Sequence, residues 1–366
     1  GLMHLEMVCY RPGDVEVVSA FDVDAFKFGR PLHEAAFAPP NCTTVISDHI
    51  AKSEVVVQMG PVHDGVADHM ADYPPERAFR VADERPVDVA KLLRDSGAEI
   101  LVSYLPVGSQ KAVQAYAEAC LETGVSLVNC IPVFIVSDPM WGERFRQAGI
   151  PCAGDDIKSQ FGATILHRAV VRLLADRGVA VERTYQLNTG GNTDFLNMLS
   201  RHRLASKKIS KTEAVTSQIP YPIGADNVHI GPSDYVPWQN DNKVCFLRVE
   251  GRGFGGAPIE LEARLSVQDS PNSAGIVIDV VRYVKIARER GAAGPLLPIS
   301  AYTMKHPPVQ MRDVDAARLR RGNRVVRDGR GIGPRLVLHE RHADAVGPHL
   351  QLLDRLEAHD ALVQQH

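Results

Sequence analysis

Gly154-Asp155-Asp156-Ile157-Lys158-Ser159, running on as Gln160-Phe161-Gly162-Ala163-Thr164, lies between two different apolar patterns. Residues 150–153 ahead of it are short and apolar, as at the end of a strand. Behind it Ile165, Leu166, Val170, Leu173 and Leu174 recur at helical spacing, which predicts a helix starting near Ser159. Two adjacent carboxylates and a lysine therefore sit on a strand-to-helix turn, where backbone N–H groups are free to meet an anion. There Asp155 and Asp156 can hold a polar ligand or tune each other's protonation. Asp156 and Ser159 can equally serve as plain helix caps.

Upstream the chain alternates. Residues 15–21 form an apolar run ending in Asp22-Val23-Asp24, which reads as a buried parallel strand. In dinucleotide folds an acidic strand tip such as Asp22 meets ribose hydroxyls. Residues 27–38 read as a helix before the turn Pro39-Pro40-Asn41, 55–57 as a short strand and 59–86 as loop. A helix is expected over 87–96 and a strand over 99–107. Gly108-Ser109 then opens a helix carrying Val113, Tyr116, Ala117 and Cys120, closed by Gly124. A strand over 125–135, with Pro132 in its second half, precedes the helix start Asp138-Pro139. This βα rhythm predicts an α/β fold with a parallel sheet, helices on its faces and ligands at the strand C-termini. Ser103, Tyr104, Asn129 and Asp156 fall at those tips.

Downstream the texture changes. Tyr185-Gln186-Leu187-Asn188 is strand-like, and Gly190-Gly191 after it mark either a turn or a close approach of backbone to ligand. Ser206-Lys207-Lys208-Ile209-Ser210-Lys211 is either a solvated face or a site for a phosphate monoester. Cys245, Leu247 and Val249, and then Ile259, Leu261, Ala263, Leu265 and Val267, share one face of a hairpin turned by the glycine-rich 251–258. Lys243 and Asp269 fall on the same parity at its open end. Charges on a buried face are costly alone, so the two meet each other or a ligand, unless they lie past the strand ends in water. Ser270-Pro271 starts a helix that stops at Gly291, and 294–308 is proline-punctuated. From 312 the periodicity fades and 318–341 is Arg-rich. A basic tail can bind nucleic acid, but no aromatic residue interleaves this one, so disorder is expected.

Composition narrows the function classes. The 366 residues carry 41 basic and 44 acidic side chains, a net charge of −3, which asks for neither nucleic acid nor a membrane surface. No apolar run has the length of a bilayer helix and no signal peptide pattern opens the sequence, so a cytoplasmic protein is expected. Six cysteines without a CxxC pair read as reduced thiols, and fourteen histidines without HxxxH spacing announce no metal site.

The segments GDDIKSQFGAT (154–164), LNTGGNTDFLNMLS (187–200), SKKISK (206–211), HIGPSD (229–234), DSPNSAG (269–275) and AYTMKHPP (301–308), in this order, resemble myo-inositol-1-phosphate synthase in its short actinobacterial form. The similarity runs from Gly1 to about Val309. It implies a Rossmann-like NAD-binding domain over 1–155, a catalytic and tetramerisation domain inserted at 156–285, a return to the first domain over 286–311, and a tail at 312–366.

The reaction implied takes D-glucose 6-phosphate to 1L-myo-inositol 1-phosphate in a homotetramer, with NAD as a regenerated cofactor. The C5 hydroxyl loses hydride to NAD+, a C6 proton is removed, the enolate attacks the C1 aldehyde, and the C5 ketone is reduced. By the family's motifs, Lys243 and Lys305 fall at the reacting centre, and Asp156 and Asp269 fix the nicotinamide and the lysines. Lys207 and Lys211 contact the phosphate or oxyanions, with Lys158 and Ser206 near them. Asn192, Asp194 and Asn197 shape the same pocket, and Asp22, Ser103, Tyr104, Asn129 and Asp155 join the cofactor side. A divalent cation is a further possibility by family analogy.

The family's opening strand and GxGN turn, which cradle the NAD pyrophosphate, have no counterpart near Gly1, so the sheet is expected to lack that strand. Two other functions fit the same residues. One is a simple NAD-dependent sugar-phosphate dehydrogenase. The other is a non-catalytic relative that keeps sugar-phosphate binding or oligomer contacts.

Overall fold

A computed structural model describes residues 2–47, 50–231 and 234–322. The first strand, β1 (Ala20–Asp22), pairs in parallel with β2 (Val57–Met59). The strand expected over 15–21 is cut to its end: Val15 and Val17 are 39% and 50% exposed, with no ladder to join among the described residues. Extended backbone persists as strand only where its N–H and C=O groups are paired. Between these strands the helix expected over 27–38 is a single turn, α1 (Leu32–Ala35). Gly29 at φ +74° and Pro31, which has no N–H, delay its start, and Pro39-Pro40 ends it. The long loop that follows is tied together by Arg80, whose guanidinium donates to the carbonyls of Met70, Phe79 and Tyr73.

Helix and strand then alternate as expected. α2 (Val89–Ser96) is capped by Asp88, which accepts from Lys91 N at 2.9 Å, and it stops at Gly97. β3 (Ile100–Ser103), α3 (Gln110–Thr123), β4 (Ser126–Asn129), α4 (Pro139–Gln147) and β5 (Pro151–Cys152) follow. β3 and β4 are shorter than the apolar runs that predict them, because Pro106 and Pro132 cannot donate to a ladder. α5 (Ala163–Asp176) begins past the expected Ser159. Asn272 ties down the intervening residues outside the helix: its carbonyl accepts from Gln160 N at 3.0 Å and its side chain pairs with both backbone groups of Phe161.

The second unit contains β6 (Ala180–Gly190), α6 (Thr193–Asn197), α7 (Ala205–Thr216), β7 (Val228–Ile230), β8 (Asp234–Tyr235), β9 (Asn242–Arg252) and β10 (Pro258–Gln268). Its sheet has the order β10-β9-β6-β7, with β8 paired to β6. β9 and β10 form the antiparallel hairpin read from the alternation, with Lys243 opposite Val267 and Leu247 opposite Ala263. Val171 of α5 and Val215 of α7 pack against Val181, Ile230, Cys245, Leu247 and Val249 of this sheet.

α8 (Asp269–Glu289) then carries the chain back, across the boundary expected at 285. β11 (Gly294–Pro295) pairs in parallel with β5, and α9 (Leu297–Thr303) follows. Ile276, Val280 and Val284 of α8 pack on Val128 and Ala153, beside Ile299 and Met304. β3 pairs with β4, Val128 bridges Ala153, and β5 pairs with β11, so these strands form one parallel run. The second unit is thus inserted between two neighbouring strands of the first sheet.

Among the described residues β1 pairs only with β2 and β3 only with β4. Residues of both strands line one cavity of about 760 Å3. The segment expected to be disordered from 312 starts instead as a helix, α10 (Asp313–Gly322), with Asp313 and Asp315 in its first turn and Ala316 buried. Residues 323–366, most of the Arg-rich stretch included, lie outside the described residues. No helix among the described residues is long and apolar enough to cross a membrane.

Candidate active site

A cavity of about 410 Å3 opens where the loop after β5 meets the first turn of α5, α7, the open end of the hairpin and the start of α8. Four lysines (207, 211, 243 and 305) and three aspartates (156, 194 and 269) line it. Asp156 stands at its centre. The residue sits in the left-handed region at φ +63°, a conformation that Asp tolerates better than most side chains, at a cost of about 1–3 kcal/mol. The surrounding backbone imposes it: Asp156 N donates to Ile131 O at 3.1 Å and Lys305 N donates to Asp156 O at 2.7 Å. The carboxylate is 1% exposed. Its Oδ1 accepts from Lys305 Nζ at 2.8 Å and lies 3.4 Å from Lys207 Nζ, while its Oδ2 accepts from Ser210 Oγ at 2.6 Å.

Burial and charge set the protonation of this cluster. Burial pushes the Asp156 carboxyl up, but Lys207 and Lys305 outweigh it and hold the group well below the usual carboxylate range. Lys207 is pulled the other way: burial lowers it, and Asp156, Asp194 and Asp269 together raise it above an ordinary lysine. Lys305 is lowered by burial despite its bond to Asp156. Lys211, whose ammonium makes no hydrogen bond or ion pair among the described residues, is lowered to about 7 by burial and by Lys243, Lys207 and Lys305.

Lys243 and Asp269 meet at 3.1 Å, which decides between the two outcomes that the hairpin parity leaves open. Burial raises the Asp269 carboxyl and Lys243 overrides it, leaving the group below its usual range. Asp241 supports this corner: its carboxylate accepts from Asn192 Nδ2 at 3.0 Å and from Ser270 Oγ at 2.8 Å. Neither Asp241 nor Ser210 is singled out by sequence. Helical phase marks Ser210, since Lys207, Ser210 and Lys211 stand at i, i+3 and i+4 on one face of α7. Ser206 lies about a quarter turn off that face and does not line the cavity.

Other expected residues stand elsewhere. Lys158 does not face the cavity; its Nζ donates to Ala301 O at 2.8 Å and Tyr302 O at 3.3 Å, carbonyls near the C-terminus of α9. Such helix-end carbonyls lack internal partners and attract a cation. Asn197 is buried with its Nδ2 on Val107 O, whereas Asn192 and Asp194 do line the cavity. Gly190 and Gly191 serve packing: a Cβ at Gly191 would stand 2.5 Å from Val236 O, and one at Gly190 would meet the Phe195 ring.

On the cofactor side, Asp155 and Asn129 line neither cavity. Asp155 is fully buried and accepts from Asn129 Nδ2 (2.8 Å), Ile135 N, Val136 N, Ser137 N and Ser137 Oγ (2.7 Å). Burial pushes its pKa up to about 6 against the donors that hold it down. Its work is to fix the turn after β4. Asp155→Ala strands those donors, and urea denaturation is expected to read a loss of about 3 kcal/mol or more. A loss under about 1 kcal/mol would contradict that reading.

Asp22 stays at its strand tip, accepting from Val23 N and Asp24 N, with Lys27 Nζ at 3.3 Å, and it lines the larger cavity together with the buried Ser103. Tyr104 lines both cavities, as do Phe79, Leu105 and Pro106, and its hydroxyl lies 2.9 Å from Ser273 Oγ. No group of three or more His, Cys, Asp or Glu placed to hold a metal ion occurs among the described residues.

Residues 162–270 match the profile of a family described as myo-inositol-1-phosphate synthase. The chain is 52% identical over 322 residues to the inositol-3-phosphate synthase of Mycolicibacterium smegmatis, covering 87% of each chain. With the Corynebacterium glutamicum inositol-3-phosphate synthase it shares 53% over 325 residues, 87% of this chain and 88% of that one. The crystal structure of a myo-inositol-1-phosphate synthase-related protein from Thermotoga maritima superposes with a TM-score of 0.67 at 25% identity, over 83% of this chain and 85% of that one. With half its residues shared along nearly the whole length of two such synthases, the chain belongs to the myo-inositol-1-phosphate synthase family.

Proposed function

We propose that this protein converts D-glucose 6-phosphate into 1L-myo-inositol 1-phosphate, oxidising, cyclising and reducing one substrate in one cavity. The observation that carries the reading is the ring of largely covered lysines around the buried Asp156. Lys305 and Lys207 share its carboxylate, and Lys211 and Lys243 line the same cavity. Aldol chemistry on a sugar phosphate develops oxyanions at the enolate and at the aldehyde oxygen. Ammonium groups fixed in a dry pocket stabilise such charge without reorganising. Lys305 and Lys243 are assigned that task. Lys207, raised by three carboxylates, is a standing cation for the phosphate or an oxyanion, and Asn192 and Asp194 shape the pocket beside it.

Lys211 is assigned the C6 proton. With a pKa of about 7 it is part amine at neutral pH and can accept a proton from carbon. A base must be neutral, so kcat/KM is expected to rise with pH through about 7 and level off above it. Lys211→Arg, always charged, is expected to abolish that limb and lower kcat by about 10²-fold or more. A wild-type profile that is flat across neutral pH would contradict the assignment.

The larger cavity suits part of a dinucleotide. Asp22 stands at a strand tip where ribose hydroxyls bind in this fold class, and Tyr104, Leu105 and Pro106 join that cavity to the lysine ring. Among the described residues bordering it no glycine-rich turn runs from a strand into a helix, so the pyrophosphate cradle is not assigned. NAD, when bound, supplies a hydride acceptor for the C5 hydroxyl and a hydride donor for the C5 ketone. Asp269 and Asp156 are assigned to orient the nicotinamide side of the substrate.

We further read the assembly as a homotetramer in the cytoplasm. Among the described residues β10 pairs only with β9 along its eleven residues, and Leu261, Ala263 and Leu265 are only partly covered, which leaves an edge and a face for a second copy. All six cysteines are free thiols, as a reducing compartment requires.

A phosphorus NMR time course with glucose 6-phosphate and NAD+, read beside NADH absorbance, tests the function. Inositol phosphate without net NADH is expected. Stoichiometric NADH instead would make the protein a dehydrogenase, and an unchanged spectrum would leave a binding relative.

A further inference from the structure

The mechanism leaves one charged cluster unused, two buried cations beside a carboxylate that is 34% exposed. Behind the loop that carries Asp156, the side chains of Lys158 and Arg168 are 1% and 0% exposed, and a single carboxylate, Asp313, serves both. Arg168 grips it with two donors, Nε to Oδ2 at 3.1 Å and Nη2 to Oδ1 at 2.8 Å, and Lys158 Nζ lies 3.4 Å from Oδ1. The remaining donors of these two cations reach into the elements that build the active cavity. Lys158, two residues beyond Asp156, binds Ala301 O and Tyr302 O just ahead of Lys305. Arg168 belongs to α5, whose first turn lines the cavity, and binds Ala214 O on α7, one turn beyond Lys211, as well as Met311 O.

We propose that Asp313 is a positioning residue for the reaction. By pairing with Lys158 and Arg168 together it holds the segments carrying Asp156, Lys211 and Lys305, and the start of α5, in one fixed arrangement. This rests on the reading of the Asp156 cavity as the catalytic site. The physical reason is that two cations in an apolar interior are tolerated only beside an anion with good hydrogen-bond geometry. Removing that anion drives them apart, and each draws its own carbonyl partners with it. Lys158 is already lowered to about 7 by burial and by Arg168, so Asp313 is what keeps an ammonium there near neutrality. A displacement near 1 Å at reacting groups is enough to cost about 10²-fold in rate.

The test compares full-length Asp313→Asn with Asp315→Asn. The latter makes the same charge change on α10, where among the described residues Asp315 pairs with the exposed Arg312. Hydrogen exchange by mass spectrometry is read over 154–158, 207–216 and 301–306, together with kcat and KM for glucose 6-phosphate. Asp313→Asn is expected to speed exchange by about tenfold or more in all three segments. It is also expected to lower kcat by about 10²-fold with KM within about threefold. Asp315→Asn is expected to change neither.

Exchange altered only over 310–322, or an unchanged kcat in an active enzyme, overturns the proposal. If wild type itself makes no product, the proposed function fails while the exchange pattern still decides whether Asp313 couples these segments. Should Asp313→Asn not fold, Asp313→Glu keeps the charge and moves it by one methylene. A folded Asp313→Glu protein with wild-type kcat and wild-type exchange then overturns the proposal.

Discussion

Asp156→Asn is expected to lower kcat by about 10³-fold, together with a measurable loss of stability. The side chain keeps its volume and its acceptor for Ser210, but loses the charge that Lys305 and Lys207 share at 2.8 and 3.4 Å. Those ammoniums are only 13% exposed, so little water reaches them to replace the lost charge. Breaking a buried pair from one side costs about 3–5 kcal/mol. The lysines that should stay charged through the reaction would then drift toward neutrality.

The same change alters the acid limb of stability. In the wild type the folded carboxyl titrates well below the unfolded value near 3.9. Its contribution is therefore complete above about pH 4 and fades as pH falls from there toward the folded pKa. Asp156→Asn removes that contribution, so urea titrations are expected to show a smaller drop in stability below about pH 4. Full activity in the variant would mean that the carboxylate only braces the loop.

Lys305→Met separates transition-state stabilisation from binding. Methionine fills much of the same space, and Asp156 keeps Lys207 and Ser210 as partners. What disappears is the ammonium offered to a developing oxyanion. A charge that matters only in the transition state lowers kcat and leaves ground-state binding nearly intact. We expect kcat to fall by about 10³- to 10⁴-fold while KM for glucose 6-phosphate moves by less than about threefold. Steady-state kinetics over both substrates decides it. An unchanged kcat with a raised KM would make Lys305 a substrate contact and shift the reacting centre toward Lys243.

How much of this is legible in the sequence depends on the reach of each signal. Strand alternation has a period of two, so parity over the hairpin carries Lys243 and Asp269 to one corner across 26 residues of chain. The βα rhythm is equally local, and it yields the parallel sheet while overstating its strands. Prolines 106 and 132 stop ladders that apolar patterning alone would extend. The lysines of 206–211 stand out by charge, and only helical phase tells Ser210 from Ser206.

The adjacent carboxylates show where local reading stops. Nothing in the order of Asp155 and Asp156 tells that one is sealed under the turn after β4 and the other faces the cavity. That division follows from the left-handed backbone at Asp156 and from donors of the 135–137 turn. Lys158 is the clearest case. Its partners come from Ala301, Tyr302 and Asp313, more than a hundred residues away, and no motif spacing connects them.

The central claim is that one cavity removes a hydride from its substrate, closes the ring and returns the same hydride. The most direct measurement follows glucose 6-phosphate carrying deuterium at C5, with NAD+ and the full-length protein, by mass spectrometry of the product. Inositol phosphate that keeps the deuterium is expected, with no labelled NADH released. Product without the label, or deuterium accumulating in free NADH, would contradict it.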